Sequence, residues 1–185
     1  MGAGLIVRPA ATDDAAALAA IYGDACLNGW GTFEEVPPTA EEMALRLAGV
    51  LGHGLPYLVA EQDGAVLAFA YATPFRLRAA YRFTAEDSVY VAPDARGLGL
   101  GRAVLSEVVR QCEALGLRQL IAVIGGSDNA GSIGLHRSLG YEVQGVLHGV
   151  GHKLGDWRDV VMMQKALNGG LDRPPDGAGL DLRGH

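Results

Sequence analysis

The fold is decided by one stretch, Ser88-Val89-Tyr90-Val91-Ala92-Pro93-Asp94-Ala95-Arg96-Gly97-Leu98-Gly99-Leu100-Gly101. Residues 86–92 predict a β-strand that ends at Pro93, and a helix over 100–115 begins inside the stretch and is stopped by Gly116. Glycines let the intervening turn adopt unusual backbone angles and approach a ligand closely. A helix N-terminus attracts phosphate, and Arg96 adds positive charge. The turn therefore predicts a phosphate-binding site.

Two other glycine-rich motifs fit this turn poorly. A dinucleotide-binding fingerprint has the spacing G-x-G-x-x-G early in a parallel βαβ repeat, whereas here the glycines are spaced G-x-G-x-G midway along the chain. A nucleotide-binding P-loop requires a lysine after its last glycine, and none follows Gly101. A plain strand-to-helix turn without a ligand is the remaining alternative, and the strand–turn–helix context with Arg96 favours phosphate binding.

The flanking sequence predicts an α+β fold. Upstream, the residue pattern predicts a strand over 5–8, helices that begin at Thr12 and Thr39, and strands over 57–62 and 65–73. Downstream, it predicts a strand over 118–124, a helix over 129–139, and strands over 141–150 and 157–167. Because hairpins alternate with helical crossovers in this order, we expect one sheet with helices on both faces.

Length and composition indicate one domain. We assign residues 1–167 to it, and the Gly-, Pro- and Asp-rich residues 168–185 predict a disordered tail. The formal net charge of −6 argues against nucleic acid as a partner. The apolar run Leu5-Ile6-Val7 is too short for a signal peptide, and no apolar stretch approaches the roughly 20 residues of a membrane-spanning helix. We therefore expect a cytoplasmic protein without a membrane partner.

The cysteines and histidines do not suggest a metal site. Cys26 and Cys112 are the only cysteines, and no CxxC motif occurs. Cysteines of this kind usually fill core space. The histidines lack metal-ligand spacing with acidic or cysteine partners, so we expect no metal.

Two motifs together resemble a known superfamily. The stretch from Ser88 to Gly101 resembles the acyl-CoA pyrophosphate motif of the GNAT acetyltransferases, and Asn129-x-x-Ser132-x-x-x-His136-x-x-Leu139-Gly140-Tyr141 resembles their second cofactor motif. Further stretches resemble the phosphinothricin and methionine-sulfoximine acetyltransferases of that superfamily. They are Ala70-Tyr71-Ala72, Phe75-Arg76, Glu86-x-Ser88-Val89-Tyr90-Val91, Ala122-Val123-Ile124-Gly125, Leu135-His136 and Gly155-x-Trp157-x-Asp159. The resemblance extends from Leu5 to Leu167.

The resemblance implies a mixed, mostly antiparallel sheet in which two neighbouring strands splay apart to admit the pantetheine arm of acetyl-CoA. It also implies a homodimer. The cofactor contacts it implies come from Val89, Tyr90, Val91, Arg96, Gly97, Leu98, Gly99, Leu100, Gly101, Asn129 and Ser132. For Asn129 the alternative is a simple helix N-cap, a role that suits its side chain.

The same resemblance assigns two catalytic candidates. Amine acetylation needs a neutral nucleophile, and a nearby carboxylate can take the proton of the ammonium form. Glu86 matches the position of the family's proposed base, and neighbouring Asp87 should point to the opposite face of the sheet. His136 stands where many members carry a tyrosine, so it could donate a proton to the departing CoA thiolate. A packed histidine that hydrogen-bonds a backbone group is the alternative.

The acceptor side is expected around the loop that precedes Glu86. The resemblance places Phe75, Arg76, Arg82 and Thr84 there, and arginines suit an acidic group on the acceptor. Phe33 lies in the break between the first two helices, a segment that lines the acceptor side in relatives. The alternatives are a solvated surface loop and ordinary loop packing.

These features predict an acetyl-CoA-dependent N-acetyltransferase that acts on the primary amine of a small amino-acid-like molecule of the phosphinothricin or methionine sulfoximine/sulfone type. One alternative is a protein N-terminal or other small-amine acetyltransferase, which would need an open groove. Another is a non-catalytic acyl-CoA-binding sensor, against which Glu86 on the cofactor strand argues.

Overall fold

The computed structural model describes residues 4–182 of the chain. Within them the strands of one sheet are β1 Ile6–Pro9, β2 Tyr57–Gln62, β3 Ala65–Pro74, β4 Thr84–Val91, β5 Gln119–Gly125, β6 Glu142–Lys153 and β7 Asp156–Ala166. The α-helices are α1 Ala15–Asn28, α2 Ala40–Gly52, α3 Leu100–Ala114 and α4 Ala130–Ser138. Each predicted element is present, although a 3₁₀ turn over Thr12–Asp14 precedes α1 and β6 continues to Lys153.

The sheet has the strand order β1-β2-β3-β4-β5-β7-β6. Only the β4–β5 pair is parallel, and the helical crossover that this requires is α3. The prediction of a mixed, mostly antiparallel sheet is therefore confirmed. Tyr90 of β4 contacts Tyr22 of α1 with ring centroids 4.8 Å apart, whereas neighbouring Val91 packs against Gly101 of α3. Because neighbouring strand residues point to opposite faces, helices cover both faces, as predicted.

The parallel pair of strands is short. Thr84–Asp87 of β4 pairs with Gln119–Ala122 of β5. Beyond this point β4 continues along β3 and β5 continues along β7, so the two strands separate. This is the splayed arrangement that the resemblance implied, and it opens a gap in the middle of the sheet.

Local sequence signals account for several element boundaries. The hydroxyl oxygen of Thr39 accepts a hydrogen bond from the Glu42 N–H at 3.1 Å, and the Glu42 carboxylate accepts one from the Thr39 N–H at 2.7 Å. This reciprocal capping box fixes the start of α2. At the turn between β2 and β3, Asp63 and Gly64 have φ angles of 53° and 81°. Two successive positive φ angles are typical of the tight turn that joins twisted antiparallel strands.

The segment after β7 differs from the disordered tail predicted for 168–185. Arg118 is buried and donates to the carbonyl oxygens of Gly170, Arg173 and Pro174 at 2.6, 2.8 and 3.1 Å. Farther along, the Leu180 N–H donates to the Arg82 carbonyl oxygen at 2.8 Å. Residues 168–182 are thus held against the domain mainly through backbone groups, which composition does not reveal. Residues 183–185 lie outside the described part of the chain.

Cys26 and Cys112 are both buried in the core, as their sequence context predicted. Among residues 4–182, no cluster of three or more His, Cys, Asp or Glu side chains has a geometry that could hold a metal ion. No helix in this part of the chain is long and apolar enough to cross a bilayer.

Candidate active site

The gap between β4 and β5 opens into two adjoining cavities. The inner cavity has a volume of about 270 Å³ and is lined by Glu86 and Ser88 of β4, Ile124 and Gly125 of β5, and the loop after α1. The outer groove, of about 750 Å³, runs from the same gap along the glycine-rich turn to the start of α3. The two share residues of β4 and α4, so a long ligand in the groove could reach the inner cavity.

The glycine-rich turn presents a helix N-terminus to the outer groove. Gly97 and Gly99 have φ angles of 78° and 82°, in the left-handed region that residues with a Cβ rarely adopt. Gly99 is the N-cap of α3, so the first N–H groups of that helix have no intrahelical partner. Such N–H groups, together with the helix dipole, form a binding site for anions such as phosphate.

Most residues predicted to contact the cofactor line the outer groove. They are Val89, Tyr90, Val91, Arg96, Gly97, Gly99, Leu100, Gly101, Asn129 and Ser132. Leu98 is the exception, because its side chain is 66 % exposed and it lies outside the lining. Arg96 also forms an ion pair of 2.8 Å with Asp24 of α1.

Asn129 serves as a helix cap at the border of both cavities. Its Oδ1 accepts a hydrogen bond from the Ser132 N–H at 3.1 Å, and its Nδ2 donates to the Gly125 carbonyl oxygen at 3.2 Å. The capping alternative is therefore observed, and the same residue also lines the inner cavity and the outer groove.

Glu86 faces the inner cavity from β4. Burial raises the pKa of its carboxyl group above the ordinary value, Arg76 opposes this shift and Asp87 adds to it. A raised pKa makes the carboxylate a stronger base, which is the property needed to accept a proton from an ammonium group.

Asp87 lies on the opposite face of β4 at the centre of a buried polar cluster, and both Asp87 and His136 also border the inner cavity. Its Oδ1 lies 3.0 Å from Nε2 of His136, and its Oδ2 accepts a hydrogen bond of 2.7 Å from the Tyr141 hydroxyl. Nδ1 of His136 lies 2.8 Å from the Ser132 carbonyl oxygen. Both ring nitrogens thus have partners inside the protein. The sequence indicated the face that Asp87 occupies but not its pairing with His136.

The architecture and the turn are those of a known family. Residues 20–141 match the sequence profile of the Acetyltransferase (GNAT) family. The chain belongs to the GNAT acetyltransferase family. It is 53 % identical over 170 residues to phosphinothricin N-acetyltransferase of Alcaligenes faecalis, covering 92 % of this chain and 86 % of that one.

Two further relatives agree with this assignment. The chain is 38 % identical to the L-methionine sulfoximine/L-methionine sulfone acetyltransferase of Pseudomonas aeruginosa, covering 88 % of this chain and 94 % of that one. A crystal structure of a phosphinothricin acetyltransferase from Sinorhizobium meliloti in complex with acetyl-CoA superposes with a TM-score of 0.91 at 48 % identity, covering 95 % of each chain.

The acceptor side of this acetyltransferase differs in part from the prediction. Phe33 lines the inner cavity, as do Trp30 and Thr32 of the same loop. The other predicted acceptor residues, Phe75, Arg76, Arg82 and Thr84, lie outside the lining of both cavities.

The two arginines near Glu86 differ in their effect on that carboxylate. Each donates to a backbone carbonyl oxygen of its own loop, Arg76 to Phe75 at 2.7 Å and Arg82 to Ala79 at 2.9 Å. The charge of Arg76 acts on Glu86 and opposes the rise of its pKa. Arg76 is therefore the better placed of the two to act on a ligand beside Glu86.

Proposed function

We propose that this acetyltransferase transfers the acetyl group of acetyl-CoA to the primary amine of a small amino-acid-like substrate of the phosphinothricin or methionine sulfoximine/sulfone type. The observation that carries the proposal is the inner cavity, which places Glu86 beside the end of the outer groove. Its volume of about 270 Å³ suits a small acceptor. The named activities of the relatives at 53 % and 38 % identity support the same substrate class.

The residues of the groove suit acetyl-CoA. The free N–H groups at the start of α3 and the left-handed turn at Gly99 would hold the pyrophosphate. The exposed edge of β4 from Ser88 to Val91, where β4 has separated from β5, would bind the pantetheine arm. Acetyl-CoA, when bound, supplies the activated acetyl group.

Glu86 performs the proton transfer in this mechanism. An alkyl ammonium must lose a proton before its nitrogen can attack the acetyl carbonyl carbon, and Glu86 accepts that proton directly or through water. The new N–C bond forms as the C–S bond breaks, and the sulfur leaves as a thiolate. The nitrogen then loses its second proton, which converts the thiolate to the CoA thiol. We assign recognition of the acceptor's acidic group to Arg76 and Arg82, with Phe33, Phe75 and Thr84 around it.

A comparison of acceptors tests the proposal. The purified protein is supplied with acetyl-CoA and with phosphinothricin, methionine sulfoximine, methionine sulfone, a simple alkyl amine or a short peptide with a free N-terminus. Thiol release and product mass are measured. We expect the amino-acid analogues to exceed the others in kcat/KM by at least about ten-fold, the scale of one charge-assisted hydrogen bond. Preference for the peptide would establish the protein N-terminal alternative. Binding of acetyl-CoA without transfer would establish the sensor.

We also propose that the enzyme is a homodimer, with a second copy covering the β6–β7 hairpin. β6 is an edge strand, and Leu147, Val150 and Trp157 of the hairpin are 50, 54 and 69 % exposed. An apolar edge strand of this kind favours association. Sedimentation should show a dimer that Leu147→Lys shifts toward monomer, whereas Leu45→Lys, at an exposed position of α2, should leave it unchanged.

The cytoplasm is the location we propose for this activity, because acetyl-CoA is available there. Fractionation of cells that produce the protein without any added sequence tests this. Recovery of the acetyltransferase activity outside the cytoplasmic fraction would contradict it.

A further inference from the structure

Lys153 is a fully buried cation that the acetyl-transfer mechanism does not use. It is the last residue of β6, one of two lysines in the chain, and 0 % exposed. Its Nζ donates hydrogen bonds to the carbonyl oxygens of Ala25, Gly29 and Thr32 at 2.9, 2.8 and 2.8 Å. These carbonyls lie at the end of α1 and in the loop that follows it.

The three hydrogen bonds match what an ammonium group offers. Lysine has three N–H donors and no acceptor, so three carbonyls use its whole hydrogen-bonding capacity. The last carbonyls of a helix lack intrahelical partners and carry partial negative charge, which favours a cation there. An unpaired buried charge would be very costly, and the carbonyl cage offsets that cost. With no donor left over, Lys153 has no free N–H for a reacting group.

The segment folded around this ammonium is a wall of the inner cavity. We call residues 29–33 the acceptor loop, because Trp30, Gly31, Thr32 and Phe33 all line that cavity. The loop is pressed onto the sheet at two glycines. A Cβ at Gly125 would overlap the Trp30 carbonyl oxygen, and a Cβ at Gly151 would overlap the Phe33 ring.

A side chain of the β6–β7 hairpin, Arg158, also contacts the acceptor loop. The guanidinium carbon of Arg158, on β7, lies 3.8 Å from the Trp30 ring centroid. Arg158 also forms ion pairs with Asp128 and Asp156 at 3.2 and 3.6 Å. Arg158 contacts the Trp30 side chain, whereas the ammonium of Lys153 bonds to the backbone of the loop.

We propose that Lys153 is a positioning residue for the acceptor, with its ammonium serving as a built-in cation around which the acceptor loop folds. It holds the cavity wall against the β6–β7 hairpin and acts on the acceptor only through that wall. This inference rests on the proposed function in one respect, namely that the inner cavity receives the amine.

Lys153→Met tests the proposal, because methionine keeps an unbranched side chain only one atom shorter but cannot donate a hydrogen bond. Lys165→Met on β7 is the matched control. Hydrogen–deuterium exchange of the amides of residues 29–33, measured without any substrate, should become faster by roughly ten- to a hundred-fold in Lys153→Met alone, the scale of losing charge-assisted hydrogen bonds. In assays, KM for the acceptor should rise by about ten-fold or more while kcat changes by less than about three-fold, since the loop adds binding and Glu86 is untouched.

The exchange measurement separates this proposal from the proposed function, because it requires no acceptor. Unchanged exchange in the acceptor loop would overturn the role of Lys153 whatever the substrate is. An acceleration spread equally over β2 and β3 would also overturn it, because that would indicate a general loss of stability. Should the methionine variant not fold, Lys153→Gln is measured instead, because its amide carries no charge and has only two N–H donors. Faster loop exchange in that variant supports the proposal, and wild-type exchange overturns it.

Discussion

Nε2 of His136 lies 3.0 Å from Oδ1 of Asp87, and both side chains are almost completely buried. The Ser132 carbonyl oxygen next to Nδ1 can only accept a hydrogen bond, so Nδ1 carries a proton. The other nitrogen faces Asp87 and donates to it when the ring is protonated. The ring therefore has no free N–H for a departing thiolate, and the geometry favours the packed-histidine alternative over the proton donor.

Replacement of His136 distinguishes these two roles. We expect His136→Gln to lower kcat by less than about ten-fold, while the free energy of unfolding falls by about 1–3 kcal/mol because a buried hydrogen-bonding partner of Asp87 is lost. Steady-state kinetics and denaturant titration measure the two effects. A loss of kcat of about 10²–10⁴-fold in a stably folded variant would restore His136 as a general acid.

The same pair predicts a pH dependence of stability. Burial alone lowers the pKa of His136, but the hydrogen bond and charge of Asp87, with the backbone bond to Ser132, outweigh it and leave the pKa raised. A raised folded-state pKa stabilises the protein fully below the unfolded value of about 6.5, and this contribution is lost as the pH rises through the folded value.

The Tm of the wild type should therefore exceed that of Asp87→Asn most at about pH 6, and the difference should shrink as the pH rises through the folded pKa of His136. His148→Gln, at a side chain that is 81 % exposed, is the control and should keep the wild-type profile. A constant difference across the pH range would contradict this prediction.

Removal of the base should slow turnover without weakening the binding of acetyl-CoA. We expect Glu86→Gln to lower kcat by about 10²–10⁴-fold at neutral pH, with a smaller loss at high pH where the amine deprotonates unaided. Since the pKa of Glu86 is raised, the acidic limb of the wild-type pH profile of kcat/KM should have an apparent pKa above the ordinary glutamate value. This limb should be absent from the profile of the variant. Glu142→Gln, at an exposed position of β6, is the control and should keep wild-type turnover. Wild-type turnover in Glu86→Gln would exclude Glu86 from catalysis.

The turn before α3 should not tolerate a branched side chain. Gly99 has a φ of 82°, so Gly99→Val would force this backbone out of the left-handed region and displace the N–H groups at the start of α3. We expect titration calorimetry to show acetyl-CoA binding weakened by at least about a hundred-fold, the scale of the 1–3 kcal/mol strain plus lost anion contacts. Gly49→Val in α2 has ordinary helical geometry and open space around it, and it should bind normally. Unchanged affinity in folded Gly99→Val would refute the phosphate site.

The arginines of the loop before Glu86 should matter only for acceptors with an acidic group. A cation that holds the carboxylate of an α-amino acid also fixes its amine near the base. We expect Arg76→Ala to lower kcat/KM for phosphinothricin by roughly ten- to a hundred-fold, and that for its decarboxylated analogue far less. Arg82→Ala should have a smaller effect, because the charge of Arg76 acts on Glu86. Equal losses of kcat/KM on both acceptors would show that Arg76 has a structural role instead.

The features that the sequence predicts well depend on nearby residues. The capping box of Thr39 and Glu42 and the Asp63-Gly64 turn are set within a few positions, and both are present in the structure. The glycine-rich turn is likewise determined by residues that are close together in the chain. Its neighbouring strand and helix are consecutive in the chain, so its place in the groove follows from the motif.

The features that the sequence did not predict depend on residues that are distant in the chain. Lys153 and Ala25 are 128 positions apart, and no periodicity marks a lysine that will bond to backbone carbonyls. The Asp87–His136 pair spans 49 positions and joins a strand to a helix on one face of the sheet. The position of Arg76 and Arg82 outside the lining of both cavities depends on the course of their loop, which the pattern of charges does not determine.

The attachment of the C-terminal segment has a practical consequence for handling the enzyme. The Leu180 N–H donates to the carbonyl oxygen of Arg82, so residue 180 lies beside the loop that carries Arg76 and Arg82. A fused tag, or immobilisation of the protein on a sensor surface through its C-terminus, would place foreign material near the loop to which we assign recognition of the acceptor. In the tagged or immobilised enzyme, the KM for the acceptor should change more than the affinity for acetyl-CoA, relative to the untagged enzyme.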